Sequence, residues 1–221
     1  MLEYDEFGPE KTLTVYDSKT RMTGIVVIDN TSLGPGKGGI RMTSTVDMKE
    51  VGNMARAMTW KCALAELPFG GAKAGIIADS KGIGAGRKKD FVEAFAKALK
   101  VICPELYVAA PDMYMGEQEM AWFAVANGDM RSCTGKPKDM GGLPHELGGT
   151  GFGVFHATRK AAELIGLDLK RATFAVEGFG NVGKPVSKYL SQAGAKFVAV
   201  SDSQGTIYPV SYTHLRAHET N

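Results

Sequence analysis

Three lysines and one aspartate in this chain have the residue types and settings for acid–base chemistry on an anionic ligand. The lysines are Lys37 in GPGKGGIRM, Lys61 in MTWKCA and Lys73 in PFGGAKAG, and the aspartate is Asp112 in APDM. A lysine ammonium can fix a carboxylate or exchange a proton, and a nearby aspartate can relay that proton. Together they predict a pocket for a small anion that contains a working lysine.

The positive charge is concentrated around these lysines. Residues 34–75 carry six Lys/Arg against three Asp/Glu, whereas the whole chain has 26 against 24. Gly38 and Gly39 lack a Cβ atom where a ligand or a neighbouring strand must come close. Because no run of basic residues with interleaved aromatics is present, nucleic acid is not expected as a partner. Small anionic molecules are the predicted ligands.

Composition predicts a globular protein with a substantial core, since 44% of its 221 residues are hydrophobic. No segment has the apolar length needed to span a bilayer, and MLEYDEFGPEKTL lacks the pattern of a secretory signal. Three widely spaced cysteines, Cys62, Cys103 and Cys133, do not form a CxxC pair. They are expected to be reduced core thiols in a cytoplasmic protein, with no metal site among the ligand predictions.

Hydrophobic patterning predicts an α/β arrangement before residue 130. Two β-branched segments joined by a polar turn, 12–18 and 23–29, predict an antiparallel pair. The glycine-rich segment that follows is expected to be an anion-binding loop. Apolar spacing predicts three helices and a short buried strand, over 48–66, 89–102, 116–127 and 106–110. Asp112 would then follow a strand end, where α/β sheets present their chemistry.

A second domain is predicted after a Gly/Pro-rich connection, at 130–149, which has the composition of a linker. A helix over 150–165 and a strand over 172–176 lead into EGFGNVG. Its glycines have GxGxxG spacing between a strand and a helix, and Asp202 ends the next strand. In that context the pattern indicates dinucleotide binding, with the helix N-terminus at the pyrophosphate and the aspartate at a ribose hydroxyl.

The predicted organisation is a substrate-binding and oligomerisation domain over 1–148, a partial Rossmann domain over 149–208 and an unrelated or disordered tail over 209–221. A doubly wound domain needs about six strands, so the chain is expected to be truncated. The tail holds His214 and His218 at helical spacing, which could in principle bind a metal. A foreign or disordered end is the favoured interpretation.

The chain resembles the glutamate dehydrogenase branch of the amino-acid dehydrogenases from about residue 10 to about residue 208. The motifs that carry the resemblance are GPGKGGIRM, MTWKCALAELPFGGAKAGI, APDMYMGEQEMAWF, TGKP, HELGGTGFGV and VEGFGNVG. The resemblance implies an α/β substrate domain, a Rossmann-type domain and a cleft between them. It also implies hexameric assembly and reversible NAD(P)-dependent deamination of an L-amino acid.

By motif match, the resemblance assigns roles to individual residues. Lys73 and Asp112 would be catalytic, Lys61 would bind the substrate α-carboxylate, and Lys37 would bind a side-chain carboxylate, with Gly38 and Gly39 beside it. The residues expected at the cofactor are Thr150, Gly178, Phe179, Gly180, Asn181, Val182, Gly183 and Asp202.

Substrate and cofactor follow from two of these positions. A buried carboxylate needs a cation, so Lys37 favours L-glutamate, 2-oxoglutarate and ammonium over the apolar substrates of leucine, phenylalanine or valine dehydrogenases. Asp202 favours NAD slightly over NADP, because a carboxylate there repels a 2′-phosphate. Two alternatives stay open: a related dehydrogenase of apolar amino acids, and an inert nucleotide-binding fragment.

Overall fold

The computed structural model describes residues 2–143 and 148–208. The chain divides into two compact units, Met1–Pro144 and His145–Asn221. The predicted tail, 209–221, lies outside the described residues, and so do His214 and His218. The expected α/β class is confirmed, because each unit contains a sheet with helices packed on it.

A five-stranded sheet forms the centre of the first unit. Its strands are β1 Lys11–Asp17, β2 Met22–Asn30, β3 Gly36–Thr43, β4 Gly70–Ile77 and β5 Tyr107–Pro111, in the spatial order β1-β2-β4-β3-β5. The β1–β2 pair is antiparallel, which confirms the predicted hairpin, and β2 also pairs antiparallel with β4. Strand β3 runs parallel to both β4 and β5.

The glycine-rich segments at Lys37 and Lys73 are both strands. The expectation of an anion-binding loop after the hairpin was wrong, because β3 and β4 are neighbours in the middle of the sheet. Glycine normally weakens a strand, and in a sequence it signals a turn. Here it permits close packing: a Cβ on Gly38 would overlap the Ala72 carbonyl oxygen, and one on Gly71 would overlap Thr59.

Three helices cover this sheet: α1 Met48–Leu64, α2 Ala85–Ala98 and α3 Glu117–Asn127. Asp47 caps α1 by accepting a hydrogen bond from the Glu50 N–H at 2.8 Å. Helix α2 begins at Ala85 rather than at residue 89, since its first turn is exposed and has no apolar periodicity. A 3₁₀ turn, Leu99–Val101, completes the predicted length of α2.

The two faces of the sheet carry different residues. The face under α2 and α3 is the main core, with buried side chains that include Met22, Ile40, Met42, Phe95 and Phe123. On the other face, Ile25 and Val27 pack with Val46, Val51 and Ala55 beneath α1. A Cβ on Gly75 would meet Val46 and Val51, so alternate β4 positions that include Lys73 face the α1 side.

Helix α1 is fixed to the sheet by a buried carboxylate. Asp29, at the end of β2, accepts hydrogen bonds from Thr59 Oγ1 at 2.5 Å and Arg56 Nε at 2.8 Å. Arg56 also pairs with Asp5 at 2.6 Å, so its guanidinium joins the N-terminal segment to the helix. Because Asp29 is 1% exposed, the carboxylate is paired where an unpaired charge would be costly.

The stretch expected to be a linker packs on the first unit over its described part, 130–143. Cys133 forms a parallel bridge with Ala109 and is buried, as are Ser132 and Lys136. The Lys136 ammonium donates to the carbonyl oxygens of Met130 and Cys133. The described part of this segment therefore has structure of its own: it includes the 3₁₀ turns Met130–Ser132 and Lys138–Met140, and Ser132 Oγ is buried without a hydrogen-bond partner.

The second unit contains α4 Gly149–Leu164, β6 Thr173–Glu177, α5 Gly183–Gln192, β7 Lys196–Asp202 and β8 Gly205–Ile207. Strands β6 and β7 are parallel, and the short β8, which was not predicted, pairs antiparallel with β7. The predicted helix–strand–helix–strand order after residue 149 is confirmed. Throughout the described ranges, no helix is both long and apolar enough to cross a membrane.

Candidate functional site

Lys73 and Asp112 form a direct ion pair in the first unit. Lys73 lies on β4, Asp112 follows β5, and Lys73 Nζ is 2.6 Å from Asp112 Oδ2. Both side chains are mostly buried, with 12% and 20% exposure. The two residues that the sequence assigned to proton chemistry are therefore in contact, although 39 positions separate them along the chain (112 minus 73).

Cations surround the Asp112 carboxylate. Burial by itself would raise the pKa of Asp112, but the Lys73 ammonium, the backbone N–H of Met113 and the Arg41 guanidinium hold it below its ordinary value. Arg41 Nε lies 3.6 Å from Asp112 Oδ2. Asp112 is therefore ionised at neutral pH and can accept a proton from a bound molecule.

Gly39 leaves room for Asp112. A Cβ on Gly39 would lie 2.7 Å from the Pro111 carbonyl oxygen and 2.8 Å from Asp112 Cβ. Neither atom can move freely, because β3 and β5 are paired at this point. Gly39 and Gly38 were predicted beside the substrate, and the structure places both of them in β3, buried.

Lys37 is held from two directions. Its ammonium donates to the Ala109 carbonyl oxygen at 2.9 Å and to Thr134 Oγ1 at 2.7 Å. Burial lowers the pKa of Lys37 to about 8. An ammonium has three N–H donors, so one donor remains for a ligand. Lys37 is thus an oriented cation with a free hydrogen-bonding position.

Lys61 stands apart from this arrangement. It occupies the last turn of α1 and is exposed to solvent. Across residues 2–143 and 148–208, no salt bridge includes Lys61. The structure therefore leaves its ammonium accessible to an anion but does not bring it into an ion pair with Asp112.

Sequence reasoning missed three residues that touch the predicted ones. Arg41 and Glu50 join at 2.5 Å beside Asp112, and Thr134 holds Lys37. Arg41 was visible only as part of GPGKGGIRM, and Thr134 only as part of TGKP. Glu50 lies in the first turn of α1, and its side chain pairs with Arg41. Their partners are distant in sequence, so spacing carried no signal.

The glycine turn of the second unit lies between β6 and α5, as predicted. Gly178 has a φ of +88°, a conformation that favours glycine. The N–H groups of Gly178 and Phe179 both donate to the Ser201 carbonyl oxygen, at 2.9 and 3.1 Å. A Cβ on Gly183 would overlap the Gly178 carbonyl oxygen, so Gly183 permits the helix to start close to the strand.

A cavity of about 560 Å³ opens over this turn. The turn and the end of β7 line it, with Glu177, Gly178, Phe179, Gly180, Asn181, Val182, Ser201, Asp202 and Ser203. Asp202 Oδ1 accepts hydrogen bonds from the N–H groups of Gln204 and Gly205, which fixes the carboxylate. Thr150, in the first turn of α4, is exposed. Apart from Thr150, the predicted cofactor residues thus lie at one small region of the unit.

The described residues contain no group of three or more His, Cys, Asp or Glu side chains arranged to hold a metal. The three cysteines are free and buried, which confirms that they are core thiols. Burial raises the pKa of Cys103 to about 12.

The fold and the two candidate sites define a class: an α/β protein with a lysine–aspartate pair in one unit and a dinucleotide-type turn in the next. Residues 10–127 match the family described as Glu/Leu/Phe/Val dehydrogenase, dimerisation domain. Residues 141–215 match the one described as Glutamate/Leucine/Phenylalanine/Valine dehydrogenase. The chain belongs to the Glu/Leu/Phe/Val dehydrogenase family.

Individual relatives point the same way. The glutamate dehydrogenase of Aeropyrum pernix is 41% identical over 187 residues, which are 81% of this chain and 44% of the relative. Glutamate dehydrogenase A2 of Halobacterium salinarum is 38% identical over 216 residues, covering 91% and 52%. The leucine-bound hetero-hexameric glutamate dehydrogenase of Thermus thermophilus superposes with a TM-score of 0.82 at 29% identity, covering 96% and 56%. The chain spans about half the length of the curated relatives it matches.

Proposed function

We propose that the protein containing this chain is an NAD(P)-dependent glutamate dehydrogenase, which converts L-glutamate reversibly to 2-oxoglutarate and ammonium. The observation that carries the proposal is the mostly buried Lys73–Asp112 pair, 2.6 Å apart. Oxidative deamination needs groups that fix carboxylates and groups that move protons between an amine, an imine and water. Lys37, Lys61, Lys73 and Asp112 supply both kinds.

In this proposal Lys73 and Asp112 share the proton work. Lys73 exchanges a proton with the attacking water, and Asp112, kept ionised by its cationic neighbours, accepts a proton from the substrate amine. Gly39 keeps Asp112 within reach by leaving the space that a side chain would fill. Lys61, exposed at the end of α1, binds the α-carboxylate.

Lys37 supports glutamate as the substrate. Its ammonium is fixed by Ala109 and Thr134 and has a donor left for a distal carboxylate. A dehydrogenase of leucine, valine or phenylalanine needs an apolar group at such a position, because an unpaired buried cation would be costly beside an apolar side chain.

The turn of the second unit suits a nicotinamide dinucleotide. Gly180 has nothing within 4 Å of its Cβ position, so a pyrophosphate can come close to the backbone of Gly180, Asn181 and Val182 at the start of α5. A nicotinamide cofactor held there would supply the acceptor for the hydride that leaves the substrate Cα. Asp202 would accept from the ribose hydroxyls, with Thr150 near the nicotinamide.

Cofactor preference is proposed as NAD, on the charge of Asp202. A carboxylate repels the 2′-phosphate of NADP and accepts from the free 2′-hydroxyl of NAD. Relatives with both specificities match this chain: one from Synechocystis sp. is called NADP-specific at 40% identity, and one from Bacillus subtilis is called NAD-specific at 34% identity.

Assembly and location complete the proposal. The matched Thermus thermophilus protein is described as a hetero-hexamer, and we propose that the first unit of this chain takes part in a hexamer of identical subunits. Three free buried thiols support a reducing compartment, which we take to be the cytoplasm. Nucleic acid and membranes are not proposed as partners.

The test is NAD(P)H oxidation with 2-oxoglutarate and ammonium. Lys73→Ala should lower turnover by about 10² to 10⁴-fold while NAD(P)H binding stays unchanged. Lys100→Ala, an exposed lysine after α2, is the matched control and should retain full activity. Turnover retained in Lys73→Ala would exclude the proposed catalytic pair.

A second candidate rests on the length comparison. Because the chain covers 44% of the Aeropyrum pernix relative, the 221-residue polypeptide can be a nucleotide-binding fragment without turnover. NADH binding by the chain with no glutamate-dependent reduction of NAD would support this alternative. Robust activity of the 221-residue polypeptide would exclude it.

A further inference from the structure

Arg41 reaches the proposed catalytic carboxylate from a strand that neither Lys73 nor Asp112 occupies. It lies on β3, in register with Gly75 of β4, and its Nε is 3.6 Å from Asp112 Oδ2. The far end of its guanidinium is fixed, since NH1 is 2.5 Å from Glu50 Oε1 on α1. The Arg41 side chain is 21% exposed. Its guanidinium therefore lies mostly enclosed between β3, α1 and the segment after β5.

The two facing atoms are both without a hydrogen bond. Within the described ranges, Arg41 Nε and Asp112 Oδ2 are buried and have no hydrogen-bond partner. Lys73 Nζ is close enough to Asp112 Oδ2 for an ion pair, but the geometry is not that of a hydrogen bond. Two cations therefore compete for one oxygen, and a small approach of Arg41 would complete a hydrogen bond that the site lacks.

The two cations differ in one chemical respect. A lysine ammonium can lose its proton, and in the proposed function Lys73 does so during turnover. An arginine guanidinium stays charged at every pH that a protein tolerates. When Lys73 becomes neutral, the buried Asp112 carboxylate loses one of its two cations, and a buried carboxylate without a cation is costly.

We propose that Arg41, anchored by Glu50, is a positioning residue that keeps the Asp112 carboxylate ionised and in place while Lys73 is neutral. The inference rests on the proposed function, because it takes Lys73 and Asp112 as the proton-transfer pair. Arg41 does not exchange protons. It acts on the reaction only through Asp112.

The charged groups that face Asp112 are few enough for a direct test. Among the described residues they are Lys73 from β4 and Arg41 from β3, with Glu50 of α1 behind Arg41. Tyr107 of β5 is fully buried, and desolvation raises its pKa well above the ordinary value, so it stays neutral. Removal of the Arg41 charge should therefore appear in the titration of Asp112.

The first experiment follows the aspartate carboxyl carbons by ¹³C NMR during an acid titration of the 221-residue chain. In Arg41→Gln, the titration midpoint of Asp112 should rise by about one pH unit. Asp129 is the internal control, because Arg131 holds its pKa below the ordinary value elsewhere in the unit and it should not move. An unchanged Asp112 midpoint with Asp129 also unchanged would overturn the inference.

Arg41→Lys separates charge from shape. It keeps a cation on β3, so the titration midpoint of Asp112 should rise by no more than about half of the rise seen in Arg41→Gln. An equal shift in both variants would show that Arg41 acts only by packing, which also overturns the inference. If Arg41→Gln fails to fold, the Asp112 midpoint in Arg41→Lys decides: a rise of a full unit counts against the proposal.

The pH profile of kcat links the titration to turnover. In Arg41→Gln the acid limb should move upward by the same amount as the Asp112 midpoint, and in Arg41→Lys it should return toward the original position. A failure of the proposed function would give a different result from a failure of this inference. Lys73→Ala would then remain active, whether or not the Asp112 midpoint responds to substitution of Arg41. An acid limb that stays in place despite a shifted midpoint would overturn the positioning role.

Discussion

The two candidate sites use glycine for opposite purposes. In the first unit, a Cβ on Gly38, Gly39 or Gly71 would collide with a neighbouring strand or helix. In the second unit, the Cβ positions of Gly178 and Gly180 face open space, with nothing within 4 Å. One set of glycines lets protein elements approach each other, and the other set leaves space for a molecule that is not protein.

This difference follows from where the chemistry resides. In the first unit the proposed working groups are side chains, and a sheet packed closely through glycines fixes them. In the second unit the predicted working groups are backbone N–H donors at a helix start, and they need an unobstructed approach. Substitution of Gly38 should therefore damage folding, whereas substitution of Gly180 should damage ligand binding.

The largest effect is expected at Gly38. In Gly38→Ala the new methyl group would overlap the Ala72 carbonyl oxygen in the middle of the sheet, so the free energy of unfolding should fall by about 3 kcal/mol. Urea denaturation followed by circular dichroism measures it. A variant as stable as the original chain would break the comparison, because it would show that the β3–β4 spacing adjusts freely.

Lys37→Leu tests whether a side chain of the first unit chooses the substrate. The variant removes the cation proposed for the distal carboxylate, so kcat/KM for glutamate should fall by about 10²-fold while that for leucine rises. Steady-state kinetics with both amino acids measures the ratio. Thr134, the hydrogen-bond partner of Lys37, is retained in this variant. An unchanged preference for glutamate over leucine would show that the distal carboxylate binds elsewhere.

Gly180→Ala is the counterpart of Gly38→Ala in the second unit. Its stability should stay within about 0.5 kcal/mol, because the new methyl group points into open space. Affinity for NADH should fall about tenfold, since the methyl group would occupy the approach to the backbone. Fluorescence titration gives the Kd, and a loss of stability without loss of affinity would reverse the roles assigned to these glycines.

The smallest expected effect is a pH dependence at Lys37. Burial lowers its pKa to about 8, so in the free site its ammonium is present below that pH and lost above it. The charged or titratable neighbours are Cys62, Cys133 and Lys136. Glutarate affinity should therefore fall a few-fold as pH rises through about 8, and Lys37→Leu should abolish that dependence. NMR titration at several pH values would detect a flat profile, which would contradict the role.

The sequence was sufficient where structure is local. Periodicity found α1 and α3 almost to their ends, the hairpin β1–β2, and the glycine turn with Asp202 nearby. The sequence did not predict β3 and β4 as strands. A glycine that permits close packing of a strand cannot be distinguished by sequence alone from a glycine that forms a turn. Lys37 and Thr134 are 97 positions apart, so no spacing rule could join them. Arg41 faces Asp112 only once β3 lies beside β5.

The sheet order has a consequence for the time at which the first site can form. Strand β4 lies between β2 and β3, so β2 cannot complete its pairing until the segment that begins at Gly70 has been made. Likewise, β3 cannot pair with β5 until Tyr107 has been made. During synthesis only the β1–β2 hairpin can assemble early, and the edge of β2 that later pairs with β4 is then unpaired. Such non-local pairing slows folding and exposes aggregation-prone intermediates. Newly made chains of this protein should therefore benefit from a chaperone until residues up to Asp112 have emerged.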